Sequence, residues 1–204
     1  MPAYFTVAFT LRETPNQVGQ FYQALEQCGL HFLGGYWAAE GDALEEIVQW
    51  NTAKLRDHFV LGMKDSVTQD YKQALYRFGD VSEARVYLFN RELTDEFAFH
   101  LILPEDDFLE PDQPPRRRTD QMEQIQTLMI RMWNAMDLLL IQTGWECSEL
   151  PISAAALERG CQPLTEPYAI VPSRLVKAKW NCDRREIGRD GTLLIDENNW
   201  NAIC

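Results

Sequence analysis

Two apolar periodicities run along this chain, and their order is the feature that most restricts its fold. Residues 4–11 alternate, with Phe5, Val7 and Phe9 on one face and polar or small residues on the other, which is typical of a half-buried strand. Further strands are predicted over 30–37, 84–90 and 96–103. A short polar turn joins the last two, which indicates an antiparallel hairpin.

A helical period of 3.6 residues appears between these strands. It predicts helices from Thr14 to Gly29, from Asp42 to Arg56 and from Ser66 to Gly79, each opened by a capping residue. Strands and helices do not alternate strictly, as they would in a doubly wound parallel sheet. We therefore predict an α+β fold, with a largely antiparallel sheet and helices packed on one side.

The longest predicted helix covers residues near 120–143. Met122, Ile125, Met129 and Met132 mark its apolar stripe, and Gly144 is its stop signal. The remaining chain predicts a short helix over 152–159 and strands over 168–171, 174–179 and 192–196. The tripeptide Arg189-Asp190-Gly191 has the composition of a tight hairpin turn.

A charged, proline-rich stretch, LPEDDFLEPDQPPRRRTD, precedes the long helix at residues 103–120. A linker between two domains is one interpretation of it. Because residues after 118 provide one long helix and only weak strands, they would form a poor core alone. We therefore predict a single domain over 1–204, with 104–118 as an internal crossing loop.

Charge divides the chain unevenly. The formal net charge is -12, and residues 1–115 contain 8 Lys and Arg against 19 Asp and Glu. A field of that sign repels phosphate backbones and favours basic proteins. Nucleic-acid binding is therefore disfavoured.

Cysteine spacing and hydropathy bear on the compartment. The five cysteines are widely spaced and form no C-x-x-C pair, which argues against a disulfide framework and a common zinc site. The N-terminal residues do not resemble a signal peptide, and the apolar run 128–141 is interrupted by Arg131, Asn134 and Asp137. We expect a cytoplasmic protein without a membrane span.

No common catalytic or phosphate-binding motif occurs in the chain. Glu96 and His100 fall on one face of a predicted strand, and a carboxylate that orients an imidazole is one element of a general-base site. They are the candidate catalytic residues of an alternative hypothesis, a small hydrolase or transferase. A surface pair without catalytic function is the simpler interpretation, and we expect no cofactor and no bound metal.

Protein binding is the hypothesis that composition favours over an enzymatic role. The candidate partner-binding residues are an acidic group and two tryptophans: Glu105, Asp106, Asp107, Glu110, Asp112, Trp37 and Trp50. Aromatic anchors ringed by acids suit an interface with a basic protein. The leading hypothesis is an inhibitor or immunity-type protein that neutralises a basic partner such as a toxin or nuclease. A scaffold subunit is a further alternative, and the sequence leaves the oligomeric state open.

Overall fold

A large antiparallel sheet organises the chain in the computed structural model, which describes residues 3–14, 16–62, 64–90, 95–111, 116–146 and 150–196. Its strands are β1 (Tyr4–Arg12), β2 (His31–Tyr36), β3 (Gln73–Arg77), β4 (Ala84–Asn90), β5 (Glu96–Pro104), β8 (Leu138–Gly144), β9 (Tyr168–Pro172), β10 (Asp183–Ile187) and β11 (Gly191–Ile195); a separate ribbon contains β6 (Leu109–Glu110) and β7 (Arg116–Arg117). The nine strands follow the order β10-β11-β9-β8-β1-β5-β4-β3-β2. The first strand in sequence is therefore central, and β2 and β10 form the edges.

Four helices accompany the sheet: α1 (Gln17–Gln27), α2 (Leu44–Arg56), α3 (Thr119–Ala135) and α4 (Ala154–Glu158). The first three pack on the face to which β1 directs Phe5, Phe9 and Leu11, all with no exposed surface. On the opposite face, Leu157 of α4 joins a smaller cluster that includes Leu140 and Trp180. The prediction of an α+β fold is confirmed.

The predicted long helix near 120–143 is confirmed up to residue 135 and wrong over its last third. α3 ends at Ala135, and Leu138–Gly144 form β8, which pairs with β1 and β9. Leu140 packs on one face of the sheet and Ile141 on the other. A strand that is buried on both faces has a continuous apolar sequence, which periodicity alone does not distinguish from a buried helix.

Two shorter predictions are also wrong. The predicted helix over 66–79 is instead a single 3-10 turn (Val67–Gln69) followed by β3, because this segment pairs with β2 and β4. The predicted strand over 174–179 contains a 3-10 turn (Ser173–Leu175) and no strand.

The Arg189-Asp190 turn is confirmed, with φ of 54° and 50° at its two central residues, as a type I′ hairpin requires.

The charged stretch at 104–118 folds back on itself. Glu110 pairs with Arg116 in the β6–β7 ribbon, and the Arg118 N–H donates to the Phe108 carbonyl at 2.8 Å. Phe108 is fully buried in the core against Phe5. We retain the single domain over 1–204 as a proposal, supported by a sheet whose strands come from residues 4 to 195.

Candidate protein-interaction site

The acidic loop is the part of the crossing at 104–118 that contains Glu105, Asp106, Asp107 and Glu110. It begins with one 3-10 turn, Glu105–Asp107. The Glu105 carboxylate accepts a hydrogen bond from the Glu146 N–H at 3.0 Å. Burial raises the pKa of the Glu105 carboxyl, and the Glu146 N–H bond opposes that effect. Glu105 therefore joins the end of β5 to the residues after β8.

Asp107 has a similar structural role. Its Oδ2 accepts from both the backbone N–H and the hydroxyl of Ser82, at 2.8 Å and 2.7 Å. Asp106 and Glu110 are exposed, so they are the acids of this loop that can meet a partner. Asp112 lies outside the described residues.

Trp50 is held in place by contacts with neighbouring side chains and backbone. It is half-buried on α2, and its Nε1–H donates to the Asp70 carbonyl at 2.9 Å. The ammonium groups of Lys54 and Lys72 lie 5.3 Å and 4.9 Å from its ring centre, within the range of cation–π attraction. Lys72 also forms an ion pair of 2.5 Å with Asp42.

Trp37 has the opposite setting. It follows β2 in a 3-10 turn (Trp37–Ala39), and 70% of its surface is exposed. Its φ is 54°, in the left-handed region that bulky residues rarely adopt. Trp37 and Val67, which is 54% exposed, line the same small cavity of about 80 Å³.

The acidic loop and Trp37 follow different strands of the sheet. The loop follows β5, in which Pro104 lies opposite Tyr4. Trp37 follows the edge strand β2, which β4 and β3 separate from β5. The Arg85 guanidinium lies 4.5 Å from the Tyr4 ring and 4.8 Å from the Tyr36 ring, so it connects the two regions.

The segment around Trp37 contains acidic residues but no lysine or arginine, a feature that the net charge of each half of the chain does not show. Residues 13–53 contain six acids, Glu13, Glu26, Glu40, Asp42, Glu45 and Glu46, and no Lys or Arg. Glu40, Glu45 and Glu46 are exposed. The segment that contains Trp37 thus carries an uninterrupted acidic bias.

The strand that leads to Trp37 forms one edge of the sheet. The register between β2 and β3 shifts at Leu33, which is 57% exposed. The Phe32 N–H donates to the Glu26 carboxylate at 2.7 Å. A bulge and a side-chain acceptor are both devices that limit uncontrolled pairing at an edge strand.

The candidate catalytic residues lie on the sheet face opposite α1–α3. The Glu96 carboxylate accepts the Ala154 N–H at 2.8 Å, and His100 Nδ1 is 3.5 Å from the Tyr87 hydroxyl. His100 follows Glu96 by four positions along β5, which corresponds to roughly 13 Å between their Cα atoms. Catalysis by this pair stays a prediction.

No helix in the described ranges combines the length and the apolar character that a membrane span requires. In the same residues, no group of three or more His, Cys, Asp or Glu side chains is placed to hold a metal ion.

Comparisons with known proteins show no family membership. No family model matches the chain, and no curated protein matches it. Among solved structures, it is similar to the Pseudomonas aeruginosa T6SS protein PA0821, with 12% identity and a TM-score of 0.43 over 95% of this chain. The alignment covers 65% of that protein's length.

Proposed function

We propose that this chain is a protein-binding module, of the inhibitor or immunity type, that masks a basic partner protein. The observation that carries the proposal is Trp37, an exposed indole at the end of an edge strand, in a 41-residue stretch without a Lys or Arg. The whole chain has a net charge of -12.

The packing of the fold does not explain why a tryptophan stands at position 37. Most of the indole lies outside the core, and a left-handed backbone costs a non-glycine residue on the order of 1–3 kcal/mol. Tryptophan is among the residues that contribute most to protein–protein binding energy. A partner that buries the indole accounts for both its exposure and its backbone conformation.

The charge distribution supports a basic partner. Negatively charged side chains near an aromatic anchor raise the association rate with a basic protein and repel acidic proteins. The exposed acids near Trp37, together with Asp106 and Glu110 of the acidic loop, provide such a field. Its effect on the association rate falls as salt screens it.

The test begins with the partner protein, captured from a lysate and then purified. Association with the wild-type chain is measured by stopped flow from low to high NaCl. We expect the rate to fall steeply with salt, and Glu40→Gln to slow it at low salt. An acidic partner, or an association rate that does not respond to salt, would contradict the proposal.

Trp37→Gly tests the anchor. We expect at least a tenfold weaker affinity, while stability stays equal or rises because glycine tolerates a positive φ. Leu150→Gly is the matched control, since Leu150 is 85% exposed and follows β8, which four strands separate from the edge strand β2 that leads to Trp37. Equal affinity of the Trp37→Gly variant and the wild type would refute the anchor role.

A further inference from the structure

A groove runs between α1 and α2 beside the edge strand β2. It encloses about 960 Å³, at the upper end of the volumes of ligand pockets. Its apolar lining comes from Tyr22, Phe32, Leu44 and Val48. The last three are only partly buried, although all three pack against the main core, so the groove keeps apolar surface in contact with solvent.

Helical spacing explains how the two walls form. Gly19, Tyr22, Gln23 and Glu26 recur at intervals of three, one and three residues on α1, which places them on one face. Leu44, Val48 and their neighbours form the matching face of α2. A Cβ atom at Gly19 would lie 3.4 Å from Val48 Cγ1, so the two helices approach each other closely at this glycine.

The rim of the groove carries charge of both signs in different places. Glu26 lies on the α1 wall and Glu45 in the first turn of α2. Arg77 lies at the far end, paired with His31 across the strands. Glu26 and Glu45 are both exposed, and Glu26 keeps its negative charge while it accepts the Phe32 N–H. The rim therefore carries two carboxylates against the one guanidinium of Arg77.

We propose that this groove receives an apolar side chain of the basic partner, with a neighbouring Lys or Arg placed against Glu45. The inference rests on the proposed function and specifies the chemistry that the partner presents. An apolar anchor in a concave site with a charged rim is the usual arrangement of a binding hot spot. The rim charge selects a basic segment over an acidic one.

Three synthetic 12-residue peptides serve as probes. The first has a central leucine flanked by lysines, the second has serine in place of that leucine, and the third keeps the leucine but is flanked by glutamates. Binding is followed through the backbone amide resonances of the full chain. We expect saturable shifts at Gly19, Val48 and Gln49 with the first peptide, and at least tenfold weaker binding of the other two.

Val48→Arg fills the groove with a long cation and should abolish the shifts caused by the first peptide. Ala53→Arg is its matched control, because Ala53 is exposed on α2 and does not line the groove. Urea unfolding of both variants shows that they fold. Equal binding of the three peptides, shifts confined to residues around Trp37, or binding that survives Val48→Arg would overturn the inference.

The same variants separate this inference from the proposed function. If Val48→Arg leaves the affinity for the purified basic partner unchanged while Trp37→Gly weakens it, the groove assignment fails and the proposed function stands. If the wild-type chain binds no basic protein, the proposed function itself fails.

Discussion

Asn51 gives the most direct test of how α2 is held against the sheet. Its side chain lies in the middle of α2 with no exposed surface. Its Oδ1 accepts the Lys72 N–H at 2.7 Å, and its Nδ2 donates to the Lys72 carbonyl at 2.9 Å and to the Tyr22 hydroxyl at 3.2 Å. One amide thus satisfies the backbone just before β3 and also reaches α1.

Asn51→Leu conserves approximate volume and removes all three hydrogen bonds. At about 1 kcal/mol for each net hydrogen bond, we expect a loss of about 3 kcal/mol in the free energy of unfolding. For a chain of this size the loss corresponds to a melting temperature lower by about 6–12 °C. Asn51→Asp should cost more at pH 7, because its second carboxylate oxygen faces the Lys72 carbonyl.

Urea unfolding followed by tryptophan fluorescence measures the loss. We expect a lower midpoint with an unchanged dependence on urea. Gln49→Leu makes the same kind of substitution at an exposed site of α2, and we expect it to change stability by less than about 0.5 kcal/mol. A loss below about 1 kcal/mol for Asn51→Leu would refute the view that this amide holds the two elements together.

Three further predictions follow from other contacts. Because burial raises the pKa of Glu105, the ionised carboxylate destabilises the fold as pH rises through that raised pKa, and the cost disappears as pH falls below the ordinary value of 4.5. Glu105→Gln keeps an acceptor for the Glu146 N–H, so we expect it to exceed the wild type in stability at pH 7 but not at pH 4, by urea titration at both pH values; a constant difference would contradict the assignment. Gly35→Ala places a Cβ 1.8 Å from the Ala39 carbonyl oxygen, so we expect a loss above about 2 kcal/mol, whereas Gly34→Ala, with nothing within 4 Å, should be mild. Arg189 donates to the carbonyls of Trp133 and Met136 at the end of α3, and Arg189→Ala should lower stability by about 1–2 kcal/mol; Arg174→Ala, at an exposed position, is the control in thermal unfolding.

The sequence predicted those elements whose pattern and packing agree. β1, α2 and β5 each direct most of their large apolar side chains to one face, so a period of two or of 3.6 residues identifies them. β8 was predicted as helix because neighbouring Leu140 and Ile141 are buried on different faces, which removes the period of two. β3 was predicted as helix because Val67, Tyr71 and Leu75 have helical spacing. Pairing with β2 and β4 makes this segment a strand instead.

β10 shows a different limit. Its sequence, DRREI, is almost wholly charged and exposed, which suits an edge strand and gives no apolar period. The only local signal was the Arg189-Asp190-Gly191 turn, since a tight hairpin requires a strand on each side.

The candidate site was predictable in composition but not in arrangement. Acidity and tryptophan content led to the prediction of a basic partner, which stays a prediction, and Trp37 is exposed. The structural use of Glu105 and Asp107 depends on contacts with Glu146 and Ser82, 41 and 25 residues away in the sequence. The groove between α1 and α2 depends on how two helices pack, which no local pattern specifies.

The central place of β1 has a consequence for synthesis on the ribosome. Its two neighbours are β5 and β8, and β8 begins 126 residues after β1 ends. At about 5–20 residues per second, β1 waits roughly 6–25 s before its second edge is paired. During that interval an apolar strand has an open edge, so nascent chains that stall before residue 144 should be the main clients of ribosome-associated chaperones and the main source of aggregation.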